Sequence, residues 1–319
     1  MKPVLFIHTS AHEIVSAQVA AFSHIYASTH LEQFDIRIIQ LEDYPHLLQK
    51  HGKTCIRFGK EAAWYKDVPQ SFLPLRFLVP QLMGYQGKAI LTDPDIFATS
   101  DIYELFIQDM GDKAILSRKF GREKGYNSSV MLLDCEKLKH WKWENLVDQI
   151  FNAEVDIQDC IALKTEDPSS IGVLDEVWND YDTLTKQTKL LHNTRQITQP
   201  WKTGLPFKAK NMDNIRKDEI QERRLQKLLK VRNQNSRRKM LGRMKNILLH
   251  GEPELYQKHP DPKQELFFFS LLKAGLEKRC IPASLLRQEI KNQHLRPDVF
   301  RVLKNITCSP TEVLATLDR

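Results

Sequence analysis

Hydrophobic positions in the first half of the chain fall into two patterns, short continuous runs and stripes of helical spacing. Val4 to His8 is an apolar run of the length a buried strand shows. Ala11 to Ser28 carries Ile14, Val15, Val19, Ala20, Phe22 and Ile25 as a helical stripe. Phe34 to Leu41 alternates well enough for a second strand, Phe72 to Tyr85 reads as helix, and Ala89 to Leu91 as another buried strand. Lys113 to Leu116 and Ser129 to Asp134 add strands, and a helix is predicted from Glu136 to Phe151. Strand and helix in alternation predict an α/β fold, Rossmann-like, with a mostly parallel central sheet covered on both faces. Ligands of such sheets sit outside the carboxyl ends of strands, where His8-Thr9-Ser10 and Asp93-Pro94-Asp95 would both lie.

Beyond Pro206 the pattern changes. Residues 208–250 are strongly basic and helical in spacing, with apolar clusters at Leu225, Leu228 and Leu229 and at Leu241, Met244 and Leu248. Glu265 to Leu276 and Ala283 to Gln293 read as further helices, followed by Pro297 to Lys304. The chain therefore divides at a soft boundary into an α/β unit, 1–207, and a mainly helical, basic appendage, 208–319. At 319 residues with 41% hydrophobic content, there is enough apolar mass for a real core. The net charge of +7 favours anionic partners, and five scattered cysteines without CxxC spacing favour a reducing compartment over a disulfide framework or structural zinc. No signal peptide is visible, and the most apolar stretch, Phe72 to Met83, is broken by Pro74, Arg76 and Pro80. The expected location is cytoplasmic, with peripheral attachment to the inner face of a membrane through 208–250 as an option.

Candidate chemistry begins in Lys88-Ala-Ile-Leu-Thr-Asp-Pro-Asp-Ile-Phe97, where an apolar strand runs into two carboxylates one residue apart. Pro94 forbids ladder pairing where the acids begin, so Asp93 and Asp95 would be presented together at a sheet rim. Hard oxygen ligands on a rigid edge suit Mg²⁺ or Mn²⁺ shared with a diphosphate, although Thr-Asp-Pro-Asp is equally ordinary turn chemistry. Arg76 lies within the apolar helix leading to that strand, as a solvated side chain or as a forked donor to a diphosphate. Tyr126-Asn-Ser-Ser-Val-Met-Leu-Leu-Asp134 sets Asn127 and Ser128 before a buried strand, either as a turn or facing sugar hydroxyls. Leu190-Leu-His-Asn-Thr-Arg-Gln-Ile-Thr-Gln-Pro-Trp-Lys-Thr-Gly204 offers His192 in a polar loop, as a core histidine or a metal ligand.

In their order along residues 3 to 204 these segments resemble glycosyltransferase family 8, the retaining GT-A enzymes related to glycogenin and bacterial galactosyl- and glucosyltransferases. The Gln-Asp pair in Val155-Asp-Ile-Gln-Asp-Cys160 and the Trp-Asn pair ending Ile171 to Asn179 take their places in the same order. The resemblance implies a GT-A fold, a UDP-sugar donor and retention of anomeric configuration. It implies Asp93, Asp95 and His192 as ligands of Mn²⁺ or Mg²⁺, and His8, Thr9 and Ser10 along the nucleoside pocket. Arg76, Asn127, Gln158 and Asp159 would surround the transferred sugar, with Ser128 beside them. The family's final loop reads His-x-x-Gly-x-x-Lys-Pro-Trp, whereas here Arg195 stands at the Gly, Thr198 at the Lys, and one residue is inserted before Pro200. Lys202 or Arg195 would then supply the phosphate contact. Ile157 replaces the acid that often precedes the Gln-Asp pair.

The acceptor, whether glycan, lipid-linked or protein, is not specified by these residues. The alternative reading is a catalytically silent GT-A relative, a scaffold acting through its basic helices on a membrane or another polyanion. Nucleic acid is the weaker polyanion, because no recognised module and no aromatic interleaving accompany the charge.

Overall fold

The computed structural model describes residues 1–120, 125–207 and 254–317. The basic segment expected to be helical across 208–250 lies outside the described residues. In chain order the elements are β1 (Val4–Thr9), α1 (Ile14–Ala27), β2 (Asp35–Gln40), α2 (Pro45–Leu48), β3 (Thr54–Arg57) and β4 (Lys60–Ala63). They continue with α3 (Val79–Leu82), β5 (Lys88–Thr92), β6 (Ile96–Ala98), α4 (Tyr103–Phe106), β7 (Ile115–Lys119) and β8 (Tyr126–Asp134). Helices α5 (Trp143–Phe151) and α6 (Ile157–Ile161) lead to β9 (Ile171–Val173), β10 (Asp180–Tyr181) and β11 (Leu190–His192). The last described helices are α7 (Pro262–Glu277), α8 (Ala283–Lys291), α9 (Val299–Asn305) and α10 (Pro310–Ala315).

The central sheet has six strands in the order β2-β1-β5-β8-β7-β9. Only β8 runs against its neighbours, so the α/β class and the mostly parallel sheet expected from the sequence are both present. The chain passes from β1 to β2 on one side and then returns to place β5 on the other side of β1. That reversal makes the carboxyl ends of β1 and β5 a topological switch point, the position at which open α/β sheets bind ligands. Alternation along each strand feeds two apolar layers. Leu5, Ile7, Ile90, Val130 and Leu132 face α1 and the C-terminal helices. Val4, Phe6, Ala89, Leu91, Met131 and Leu133 face the layer containing α3 and α5.

Two expected helices come out broken. Phe72 to Tyr85 is a 3-10 stretch, Leu73–Leu78, followed by the single turn α3, because Pro74 and Pro80 each remove a backbone donor. Within Glu136 to Phe151 the helix begins only at Trp143. The indoles of Trp141 and Trp143 turn inward there to donate to Glu166 at 2.9 Å and to the Pro74 carbonyl at 3.0 Å. The β3–β4 hairpin was not anticipated. Phe58 and Gly59 form its two-residue turn with φ of 53° and 70°, and Phe58 gave no sequence sign of accepting that conformation.

Helix α7 shares an apolar layer with α1 through Phe267, Phe268, Phe269, Leu271 and Leu272. The Phe268 ring lies 4.9 Å from Trp201 and 5.4 Å from Phe97, so α7 touches both β6 and the loop after β11. Arg296, largely buried before α9, forks onto Asp298 and reaches Glu265 of α7 at 2.9 Å. Hydrogen bonds from Arg296, joined by Arg301, draw the Asp298 carboxyl down to about 2 from its ordinary value of 3.8 despite partial burial. A depressed carboxylate stabilises the fold above its unfolded pKa and loses that contribution as pH falls through the folded one. Wild-type protein should therefore melt higher than Asp298→Asn at neutral pH. In melting curves taken at successive pH values, that difference should close between about pH 4 and pH 2.

Candidate functional site

Asp93 and Asp95 stand where the chain leaves one sheet and enters another. Strand β5 ends at Thr92 in the central sheet, and β6 begins at Ile96 in a small sheet of order β10-β11-β6. Pro94 bridges the two, a residue that cannot donate to either ladder. In the small sheet His192 pairs with Ile96, one residue from Asp95, and the Asn193 amide donates to the Asp95 carbonyl at 3.1 Å. Strand register alone thus brings a histidine from far along the chain beside the two acids. One ligand atom each from Asp93, Asp95 and His192 lies within 4.8 Å of the others. His192 Nε2 stands 3.4 Å from Asp95 Oδ1.

The polarity of the histidine is set from behind. His192 Nδ1 meets Asn179 Oδ1 at 2.8 Å, while Asn179 Nδ2 donates to Asn127 Oδ1 at 3.3 Å. With Asn179 so oriented, Nδ1 carries the proton in the neutral ring and Nε2 turns its lone pair toward two carboxylates. A lone pair facing carboxylates is unfavourable until a cation or a proton lies between them. Two hard oxygens and one imidazole nitrogen fit a divalent ion such as Mn²⁺ or Mg²⁺. The same field acts on the ring's own titration. Burial would lower the His192 pKa, but Asp95, Asp93 and Asp182 together raise it.

The two carboxyl groups differ in their surroundings. Asp93 Oδ1 is 2.5 Å from His8 Nε2 and accepts from Arg76 Nη2 at 3.2 Å. The pairing follows from register, since Ile7 opposes Thr92 and the next residues face each other across the switch point. Burial opposes ionisation of Asp93, yet the Arg76 charge and the His8 hydrogen bond hold its pKa well below the usual carboxylate range. Asp95 moves the other way. Its burial outweighs the attraction of His192, and the charges of Asp93 and Glu13 push its pKa up further. Asp95 Oδ2 also accepts from Gln199 Nε2 at 3.2 Å.

The remaining expected site residues fall into distinct positions. Arg76 is 1% exposed, and its guanidinium is spent inward on Asp93, on Ser128 Oγ and on the Leu73 carbonyl. Ser128 is buried too and donates to the Ile161 carbonyl at 2.5 Å, so its hydroxyl anchors Arg76 and the end of α6. Asn127 Oδ1 receives the Ser129 amide at 2.8 Å as well as Asn179. Thr9 and Ser10 are fully buried at the end of β1, and the Ser10 hydroxyl has no hydrogen-bond partner among the described residues. Gln158 and Asp159 lie half-buried on α6, with Asp159 paired to Lys164 at 3.1 Å. Lys202 is buried in an ion pair with Glu13, and the Trp201 indole donates to the same carboxylate at 3.4 Å. Arg195 is exposed, which makes it the accessible cation of this loop.

Sequence reasoning gave no role to Asn179, Gln199, Glu13 or Arg118. Arg118 donates to the Asn179 carbonyl at 2.5 Å and lies 3.9 Å over the Tyr181 ring, whose edge meets His192. The Trp-Asn pair was the available signal for Asn179. A cavity of 420 Å³ opens beside the carboxyl ends of β1 and β2, lined in part by His12, Glu42, Lys66 and His294.

No protein-family model matches the chain, and no curated protein matches it. Among solved structures it is similar to the glycosyltransferase GlyE of Streptococcus pneumoniae TIGR4, at 15% identity and a TM-score of 0.47. That likeness covers 70% of this chain, which spans only 64% of the GlyE chain. The galactosyltransferase LgtC, solved with donor and acceptor sugar analogues, is similar at 13% identity and a TM-score of 0.44, over 62% of this chain and 89% of its own. Mouse xyloside xylosyltransferase 1 is similar at 15% identity and a TM-score of 0.41, over 61% of this chain and 98% of its own.

Arg76 compensates a largely buried carboxylate, so removing it should cost more than a surface cation would. Arg76→Met is expected to lower metal-free stability by about 3 kcal/mol in denaturant titrations, and Mn²⁺ should restore part of that loss. A loss below about 1 kcal/mol would show that Asp93 is not held ionised by Arg76.

Proposed function

We propose that this chain is a metal-dependent retaining glycosyltransferase that moves a hexose from UDP to a glycan, lipid-linked or protein acceptor. The observation that carries this reading is the convergence of Asp93, Asp95 and His192 at the switch point of a mostly parallel sheet. Asp93, Asp95 and His192 would hold Mn²⁺ or Mg²⁺, with His192 oriented by Asn179. Such an ion, when bound, neutralises charge on a leaving nucleoside diphosphate, so that the glycosidic bond breaks without a strong acid. The ends of β1 and β2 and the cavity beside them, lined in part by Ala11, His12 and Glu42, suit the nucleoside, with His8, Thr9 and Ser10 buried in the chain just before that lining. Asn127, Gln158 and Asp159 would steady the sugar, and exposed Arg195 would take the phosphate contact that buried Lys202 is not placed to make.

A second reading, a silent relative acting as a scaffold, draws on one specific fact. Both Arg76 and Lys202 are spent on internal carboxylates, Asp93 and Glu13. Its proposed instrument, the basic run 208–250, would act on an anionic membrane surface. No helix among the described residues is long and apolar enough to cross a membrane. A cytoplasmic location, peripheral at a membrane, remains part of the proposal.

The test is nucleotide release from a panel of UDP- and GDP-sugars with Mn²⁺, run beside Asp95→Asn. Release from a UDP-sugar should fall at least about 100-fold in the variant and vanish on chelation. Wild-type protein that neither binds Mn²⁺ nor releases nucleotide would leave the scaffold reading in place.

A further inference from the structure

The loop that carries His192 departs from the family pattern and holds an extra residue, yet it is bonded along its whole length to the C-terminal segment. At its start, buried Asn193 donates through Nδ2 to Gln264 Oε1 at 2.7 Å. Gln264, itself 1% exposed on the first turn of α7, passes the contact on by donating to the Asp182 carbonyl at 2.7 Å. The Asp182 amide in turn donates to the His192 carbonyl at 2.9 Å, which closes a ring of bonds around the histidine. In the middle, the Gln257 amide donates to the Ile197 carbonyl at 2.7 Å. At its end, Arg296 holds two consecutive carbonyls, Pro200 through Nη1 at 3.3 Å and Trp201 through its backbone amide at 2.8 Å. The Phe268 ring packs behind Trp201 and Phe97, on the strand that follows Asp95.

We infer that the C-terminal helices are part of the metal site, with Gln264 and Arg296 as positioning residues that set the His192 loop before any ligand arrives. The inference rests on the metal reading proposed above and deepens it. A histidine can serve as a ligand only if its lone pair points at the carboxylates. Asn179 fixes the rotation of the ring, but the backbone beneath it is fixed by Asn193, and Asn193 is fixed by Gln264. In the family this chain resembles, a loop lysine makes a phosphate contact. Here Thr198 stands in that place, buried and turned onto the Arg195 carbonyl at 3.1 Å. The loop accordingly takes its order from α7 and Arg296 instead of from the donor.

Hydrogen exchange and Mn²⁺ titration on the full chain test this together. In metal-free wild-type protein the amides of residues 193–202 should be protected, and Mn²⁺ with UDP should change them little. Gln264→Met keeps length and apolar packing while removing all three side-chain hydrogen bonds, to Asn193, to the Asp182 carbonyl and to Asp261. It should unprotect that loop and weaken Mn²⁺ binding by about ten- to a hundred-fold, the usual consequence of losing an outer support of a ligand. Arg296→Lys, which keeps the charge and loses the fork, should release the Pro200 end with a smaller loss of affinity. Lys273→Met serves as the control: it cuts the α7 contact to the Ile306 carbonyl, 2.7 Å, far from the loop. It should lower the melting temperature without changing loop exchange or affinity. Unchanged protection and affinity in Gln264→Met would overturn the inference, as would equal losses in Lys273→Met. Wild-type protein that binds no Mn²⁺ defeats the metal reading itself, a result distinguishable from either of those.

Discussion

The whole site depends on one covalent constraint, the change of sheet at Pro94. Strand β5 must end in the central sheet and β6 must begin in the small one, with no ladder hydrogen bond available at the residue between them. A residue with a free amide there could continue the β5–β8 ladder and keep Asp95 in the central sheet, away from β11. Because Pro94 interrupts it, both carboxylates project at the same rim. The β11–β6 pairing then delivers His192 to that rim without any further instruction. The six buried residues of β1 fix the far wall, where His8 meets Asp93.

Two carboxylates this close cannot share one electrostatic environment without cost, and the fold separates them. Arg76 and His8 sit on the Asp93 side, whereas Glu13 adds negative charge on the Asp95 side. Lys202 lies against Glu13 and so tempers that charge without reaching the acids directly. The result is a pair of opposed shifts, the Asp93 pKa drawn down by Arg76 and His8 against its burial and the Asp95 pKa pushed up by burial. His192 responds to the same field by drawing in positive charge.

Much of this was legible in the chain. The runs Val4 to His8 and Ala89 to Leu91 gave the central strands because both are buried on two faces, which leaves a continuous apolar signature. Asp93, Asp95 and His192 were legible as candidates from their residue types and from the order of the segments around them. What was hidden depends on long-range partners. Strands β6, β10 and β11 are two or three residues long and have no periodicity of their own; they exist because they pair with one another. The turn at Phe58 is set by its hairpin against local preference. Arg76 and Lys202 were read as cations free for phosphate, since nothing local reveals that Asp93 and Glu13 occupy them. Gln264 looked like one more polar residue at the start of a helix, and only burial against Asn193 distinguishes it.

The C-terminal contacts give the loop after His192 an order of its own. A loop that closes on its donor obtains order from the ligand, and that ordering free energy is subtracted from binding. Here the loop is held at Asn193, Ile197 and Pro200 by residues that follow it by sixty or more positions. Preorganisation of this kind lessens the order that a ligand must supply. Removing Gln264 would free the Asn193 end of the loop, beside His192, while Gln257 and Arg296 still hold Ile197, Pro200 and Trp201.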